Sequence, residues 1–301
     1  MTLTPMQSMA LCQREAEATK RAEGIATIAP CRMTWADYRA LDAVNQSTIK
    51  HLRESPLHYR HAVDDPDAPT DAMNLGSGTH TAVFEPDSLI LEYAVFAGKV
   101  RRGKEWEAFE AANEGRTILT LSQYETACRI RDTVRGHPLA SHYLERGRAE
   151  QSLTWVDPAT GLLCKARVDW IAEEFGTFLD LKTTRTVDAR LFGQQSLALG
   201  WHLQAALYRQ GLREHGLDLV PRLLAVESKA PHDVGVFVVG SDPLYAAEEQ
   251  LKELLGRIVE CRASGLWPGR YTEEQPLDLP PWAYPDDDAA DGLGLSFGEG
   301  A

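Results

Sequence analysis

The stretch from Lys165 to Thr184 limits the possible folds of this chain more than any other. Cys164, Ala166, Val168 and Trp170 alternate with Lys165, Arg167 and Asp169. Successive side chains of a strand point to opposite faces, so this spacing predicts a strand with three charged groups on one face and apolar groups on the other. Glu173, Glu174 and Gly176 supply a tight turn. Beyond it, Phe178, Asp180 and Lys182 share one face, and Thr177, Leu179, Leu181 and Thr183 the other. If the two strands pair, Asp169, Asp180 and Lys182 converge on one patch. Two carboxylates and an ammonium together suit a hard cation and an activated water. An isolated Asp-x-Lys is more often the solvated face of a sheet. Here the apolar flanks Leu179 and Leu181, and an acid eleven positions before Asp180, favour a site.

The remaining elements supply candidates to complete it. Asn45 to Arg60 reads as two short helices, the first capped by Ser47 and the second by Ser55 ahead of Pro56. A helix from Met73 to about Pro86 sets Gly76 and Ser77 one turn before His80, and neutral imidazole ligates divalent metals well. Residues 88–96 suggest a strand. Lys99, Arg101, Arg102 and Lys104, beside Gly103 and Trp106, form the most basic cluster, suited to phosphate contact or equally to a solvated loop. Helices are expected at 104–113, 122–135 and 138–146, with Ser122 capping the second and Gly147 ending the third. Glu150 precedes an alternating strand, and residues 157–161 make a hairpin loop. Gln204 and Tyr208 lie four apart on the helix that follows the Asp-x-Lys strand. Residues 219–240 form a second hairpin. Its Glu227-x-Lys229 has neither a preceding acid strand nor a following Gln-x-x-x-Tyr helix. A long amphipathic helix runs from 242 to about 265.

Composition narrows the class. The chain has 301 residues and a formal net charge of −13, unusual for a nucleic-acid binder. Residues 285–301 hold five acids and no base, so the rest still carries −8. Any DNA contact must therefore come from a concentrated basic stripe or a bound metal. The five cysteines are scattered without a Cys-x-x-Cys, against a zinc or iron–sulfur site and against a disulfide framework, and in keeping with the cytoplasm. No apolar run approaches the ~18 residues of a membrane span. The tail combines Asp286–Asp288 with Leu293, Leu295 and Phe297, either a solubilising end or a short motif for a basic partner.

The Asp169, Asp180-x-Lys182 and Gln204-x-x-x-Tyr208 set resembles the core of PD-(D/E)xK nucleases. Ser55-Pro-x-His-Tyr59 and the run Gly76-Ser-Gly-x-His80 through Glu85-Pro86 resemble the RecE-type exodeoxyribonuclease VIII family of phages and prophages. The resemblance covers residues 30–285, and its motifs are fairly specific in combination though weak singly. Asp180 stands where Glu is frequent. The resemblance implies an α/β fold, a central mixed β-sheet flanked by helices, with an N-terminal helical part that contributes His80. Its domains would be a polar arm at 1–29, an exonuclease-like domain at 30–284 and an acidic tail at 285–301. It implies Mg²⁺ or Mn²⁺ held by His80, Asp169, Asp180 and the Leu181 carbonyl, and a Lys182 that orients the attacking water. Glu150 would support the metal site, and Gln204 and Tyr208 would border it. Arg101, Arg102, Lys104, Lys165 and Arg167 would contact nucleic acid. The implied activity is 5′→3′ digestion of linear double-stranded DNA, leaving 3′ single strands for recombination, by a ring-shaped homo-oligomer with a single-strand annealing partner. A non-catalytic DNA-binding or assembly protein of this fold, and a structure-specific endonuclease, stay open.

Overall fold

The computed structural model describes residues 27–66, 70–98 and 100–283. The polar arm before residue 27, Lys99 and the acidic tail lie outside them. The strands are β1 (Cys31–Arg32), β2 (Tyr93–Phe96), β3 (Thr117–Thr120), β4 (Arg148–Val156), β5 (Leu163–Ala172), β6 (Thr177–Thr184), β7 (Val220–Glu227) and β8 (Val234–Val238). The helices are α1 (Trp35–Ala40), α2 (Gln46–Ile49), α3 (Pro56–Asp64), α4 (Asp71–Phe84), α5 (Leu89–Glu92), α6 (Lys104–Ala112), α7 (Leu121–Gly136), α8 (Pro138–Leu144), α9 (Ala189–Leu199), α10 (Trp201–Glu214) and α11 (Ser241–Ser264).

Six strands form one mixed sheet in the order β1-β4-β5-β6-β7-β8, flanked by helices as expected. All neighbours are antiparallel except β6 and β7. Parallel neighbours need a long crossover, which α9 and α10 provide. That crossover lays α10 over the end of β6 carrying Asp180 and Lys182. Phe178 of β6 and Leu153 and Val168 of β4 and β5 pack on this face with Leu203 and Leu207 of α10 and Leu255 and Ile258 of α11. A Cβ at Gly211 would lie 2.5 Å from the Trp155 ring, so glycine permits α10 to approach the sheet this closely. The opposite face packs Leu179, Leu181 and Leu224 against Val83 and Phe84 of α4 and Ile130 and Val134 of α7. Each such fully buried aliphatic side chain contributes roughly 1.5–3 kcal/mol, so β6 is fixed from both sides.

Several local expectations shift. Asn45, not Ser47, caps α2, its side chain accepting from the Thr48 N–H at 3.0 Å. Thr120, not Ser122, caps α7, in a reciprocal capping box with Gln123. Ser55 caps α3 as its Ser-Pro pair suggests. Residues 88–96 are not one strand: α5 takes Leu89–Glu92 and only Tyr93–Phe96 is extended. β2 finds its partner in β3, a four-residue strand too short to show a period before a helix. Gly147 does not end α8, which stops at Leu144.

Candidate active site

The site forms where β4 and β5 change sides. Ala166 and Val168 join the core under α10, whereas Trp170 and Ala172 join the core under α4. The expected single apolar face of β5 is thus divided in two. The cause lies at one rung of the ladder. Ala149 pairs with Trp170 and Gln151 with Val168, but Glu150 and Asp169 between them do not pair. Glu150 has φ 50, left-handed backbone that a non-glycine residue adopts at a cost of about 1–3 kcal/mol. On its other side β5 pairs with β6 only as far as Trp170 and Leu179. The Asp169 carboxylate then takes the place of a ladder carbonyl, its Oδ2 accepting the Leu181 N–H at 2.8 Å.

His80 reaches this gap from α4. Its Nδ1 lies 3.2 Å from Asp169 Oδ2, and its side chain keeps 26% of its surface exposed, which leaves a path to solvent. Behind it, a Cβ at Gly78 would sit 2.9 Å from Leu119, so this glycine lets α4 settle against β3. Ligand atoms of His80, Glu150 and Asp169 all lie within 4.8 Å of one another. Burial lowers the His80 imidazole, but the charge and hydrogen bond of Asp169 outweigh it and lift it to about 9. Burial raises Asp169, and His80 more than reverses that, so this carboxyl falls below its usual range. Glu150 is raised by burial and by the Asp169 charge, against the pull of Arg167, whose Nε donates to it at 2.6 Å.

Asp180 occupies the α10 side of β6. Gln204 Nε2 donates to its Oδ1 at 2.7 Å, and Lys182 Nζ donates to Gln204 Oε1 at 2.9 Å. The Lys182 ammonium lies 2.6 Å from the buried Asp180 Oδ2, a tight ion pair. Burial pushes Asp180 up to about 6, partly offset by Lys182. A hydrogen bond links Tyr208 to Gln204 from within the core. Tyr208 thus supports Gln204, which in turn orients both Asp180 and Lys182.

This donor set fits a divalent cation. One imidazole and two carboxylates converge, and the Asp180 carboxylate beside them feels the charges of Asp169 and His80. Glu150, the residue with the faintest signal in the sequence, stands inside the tightest group. Asp180 stands just outside it. The Leu181 N–H is used by Asp169.

The basic residues divide differently. Lys165 is buried, and its Nζ donates to the carbonyls of Leu41 at 2.6 Å, Tyr38 at 3.1 Å and Arg39 at 3.4 Å. It closes the end of α1, where free carbonyls and the helix dipole attract a cation. Arg101 is also taken: it pairs with Asp71 and donates to Ile118 O at 2.9 Å and Gln123 Oε1 at 3.0 Å. Arg102 and Lys104 are exposed. Arg167, bonded to Glu150 and to Met33 O, borders the donor group. A depression bounded by Asn74, Arg101, Trp106 and Arg116 shares no residue with that group. Two neighbours escaped the sequence reading. Trp201 lies 5.6 Å from Lys182 Nζ, and Lys50 feels the Lys182 charge, which with burial lowers its ammonium. Nothing in either residue's local pattern distinguishes it from a packing or surface position.

The chain belongs to the family described as PDDEXK-like domain of unknown function (DUF3799), whose match spans residues 45–275 and so holds every residue of this group. It is thereby a member of the PD-(D/E)xK superfamily. Among solved structures it is similar to a protein of Eubacterium rectale described as "Putative exonuclease", with 14% identity, a TM-score of 0.58, and coverage of 88% of this chain and 100% of that one. Likeness at that identity concerns the fold. No curated protein matches the chain. Among the described residues, no helix is long and apolar enough to cross a membrane.

Proposed function

We propose that the protein is a metal-dependent deoxyribonuclease, a 5′→3′ exonuclease of the RecE type that acts on ends of linear duplex DNA and leaves 3′ single strands. The observation that carries this reading is the juxtaposition of the His80–Glu150–Asp169 donor group with the Asp180–Lys182–Gln204 network on one end of β6. His80, Asp169, Asp180, Glu150 and the Leu181 carbonyl would hold Mg²⁺ or Mn²⁺. When bound, that cation supplies Lewis-acid polarisation of a phosphoryl oxygen and a water of lowered pKa. Lys182 orients the attacking water and offsets charge that gathers on the phosphate in the transition state. Gln204 fixes the Lys182 ammonium and the Asp180 carboxylate in one arrangement, and Tyr208 fixes Gln204. Arg102, Lys104 and Arg167 are the basic groups left to meet phosphates. A ring-shaped homo-oligomer, an annealing partner, a role in recombination and a cytoplasmic setting complete the reading.

The test is digestion of linear duplex with Mg²⁺, labelled at the 5′ or the 3′ end, beside closed circular duplex. Release of the 5′ label first, with circles intact, is the expected result. Cutting of circles would replace the exonuclease with an endonuclease. Binding without cleavage would favour a DNA-binding or assembly protein of the same fold.

A further inference from the structure

Trp35 opens α1 with 53% of its surface exposed. Its ring stacks on that of Tyr38 at 5.4 Å with planes 21° apart. Tyr38 is buried, and Lys165 Nζ lies 5.0 Å from its ring while capping the same helix. The guanidiniums of Arg167 and Arg39 lie 5.4 and 5.9 Å from the indole centroid. Arg167 is itself held by Glu150 and by Met33 O. The indole is therefore held by the Tyr38 ring and by the two guanidiniums over it, yet about half of its surface remains open to solvent. A single side chain, Arg167, separates it from the Glu150 carboxylate.

We propose that Trp35 is a substrate-positioning residue: the nucleobase next to the scissile phosphate stacks against its indole. This rests on the nuclease reading and adds to it a contact with a base. An acidic protein gains little from long-range attraction to DNA, so short-range stacking has more of the binding to supply. Every base has a π-face, so such a platform holds any sequence. Arg167 bridges the two parts: it fixes Glu150 on one side and flanks the indole on the other, so that base and phosphate are placed together.

The experiment measures steady-state cleavage of end-labelled oligonucleotides with Mg²⁺, with either an ordinary or an abasic nucleotide beside the scissile bond. The proteins are the unmutated full chain, Trp35→Ala and Trp35→Phe. On the ordinary substrate, Trp35→Ala should raise KM about tenfold, the scale of one lost base–aromatic stack, with kcat within about threefold. Trp35→Phe should recover most of the loss. The unmutated protein should lose the same factor on the abasic substrate, a comparison that requires no variant to fold. On that substrate Trp35→Ala should cost nothing more. An equal loss from Trp35→Ala on both substrates, or an unchanged KM with the abasic nucleotide, overturns the stacking role. Absence of cleavage by the unmutated protein overturns the nuclease reading and this inference with it.

Discussion

The charged residues of β5 and β6 and those of the Val100–Lys104 segment share a composition and serve different ends. On the strands, Asp169, Asp180 and Lys182 are nearly buried and bonded chiefly to one another, to His80 and to Gln204. Their neighbours Leu179 and Leu181 are locked in the core, so none can move to water without breaking the sheet. In the segment, Arg101 ties the chain to α4, β3 and α7 through Asp71, Ile118 and Gln123, while Arg102 and Lys104 stay in solvent. Burial makes the difference. A buried charge must find a partner or a ligand, whereas a surface charge needs neither. Charge density alone therefore marks the segment as readily as the strands, but only the strands bring carboxylates together with an imidazole.

The sharpest way to break this contrast is Lys182→Ala. It should cut turnover on linear duplex roughly a hundredfold or more, the usual scale for one transition-state charge contact, while DNA binding in Ca²⁺ stays within about threefold. Arg102→Ala should leave turnover nearly intact and weaken binding, more at low salt than at high. Equal losses of turnover in the two variants would erase the distinction.

Next in size is the pH dependence of metal binding. In the metal-free protein the His80 imidazole carries a proton up to about pH 9 because Asp169 stabilises it. A cation must displace that proton, so Mn²⁺ affinity should rise by up to about tenfold per pH unit between pH 6 and 8. Titration calorimetry in buffers of different ionisation enthalpy should show about one proton released per ion. Without metal the sign reverses: the pair stabilises the fold fully below the ordinary imidazole pKa of ~6.5, and that contribution fades as pH climbs through about 9. Metal affinity that is flat with pH would remove His80 from the ligand set.

Lys165→Met should lower stability by about 1–3 kcal/mol, the cost of carbonyls left without a donor, seen as a lower urea midpoint. Specific activity of the folded fraction should stay within about twofold. A selective loss of DNA binding would return Lys165 to the nucleic-acid surface. The smallest effect is expected from deleting 285–301. Five acids go, so DNA binding should tighten slightly at low salt and converge with the full chain at high salt. Retained capture of an annealing partner by the truncated chain would leave the tail only a solubilising role.

Much of this was legible in the chain itself. Period-two alternation on both sides of Gly176 specified two strands and put Asp180 and Lys182 on one face, because side-chain parity is local geometry. The four-residue spacing of Gln204 and Tyr208 likewise placed them on one helical face, where both are found turned to the core. Ser55 before Pro56 marked the start of α3, since a cap bonds within one turn. What the sequence could not determine was which charged groups meet. The left-handed Glu150, the unpaired rung it shares with Asp169, and the resulting change of face are set by how β4 and β5 coil between two cores. Lys165 and Arg167 stand two residues apart on one strand. The docking of α1 sends the first to a helix end, whereas the second turns to Glu150 on the neighbouring strand. The Lys165 contacts join residues more than a hundred positions apart, and no local period records them, because they depend on where the packed layers leave a buried charge room for a partner.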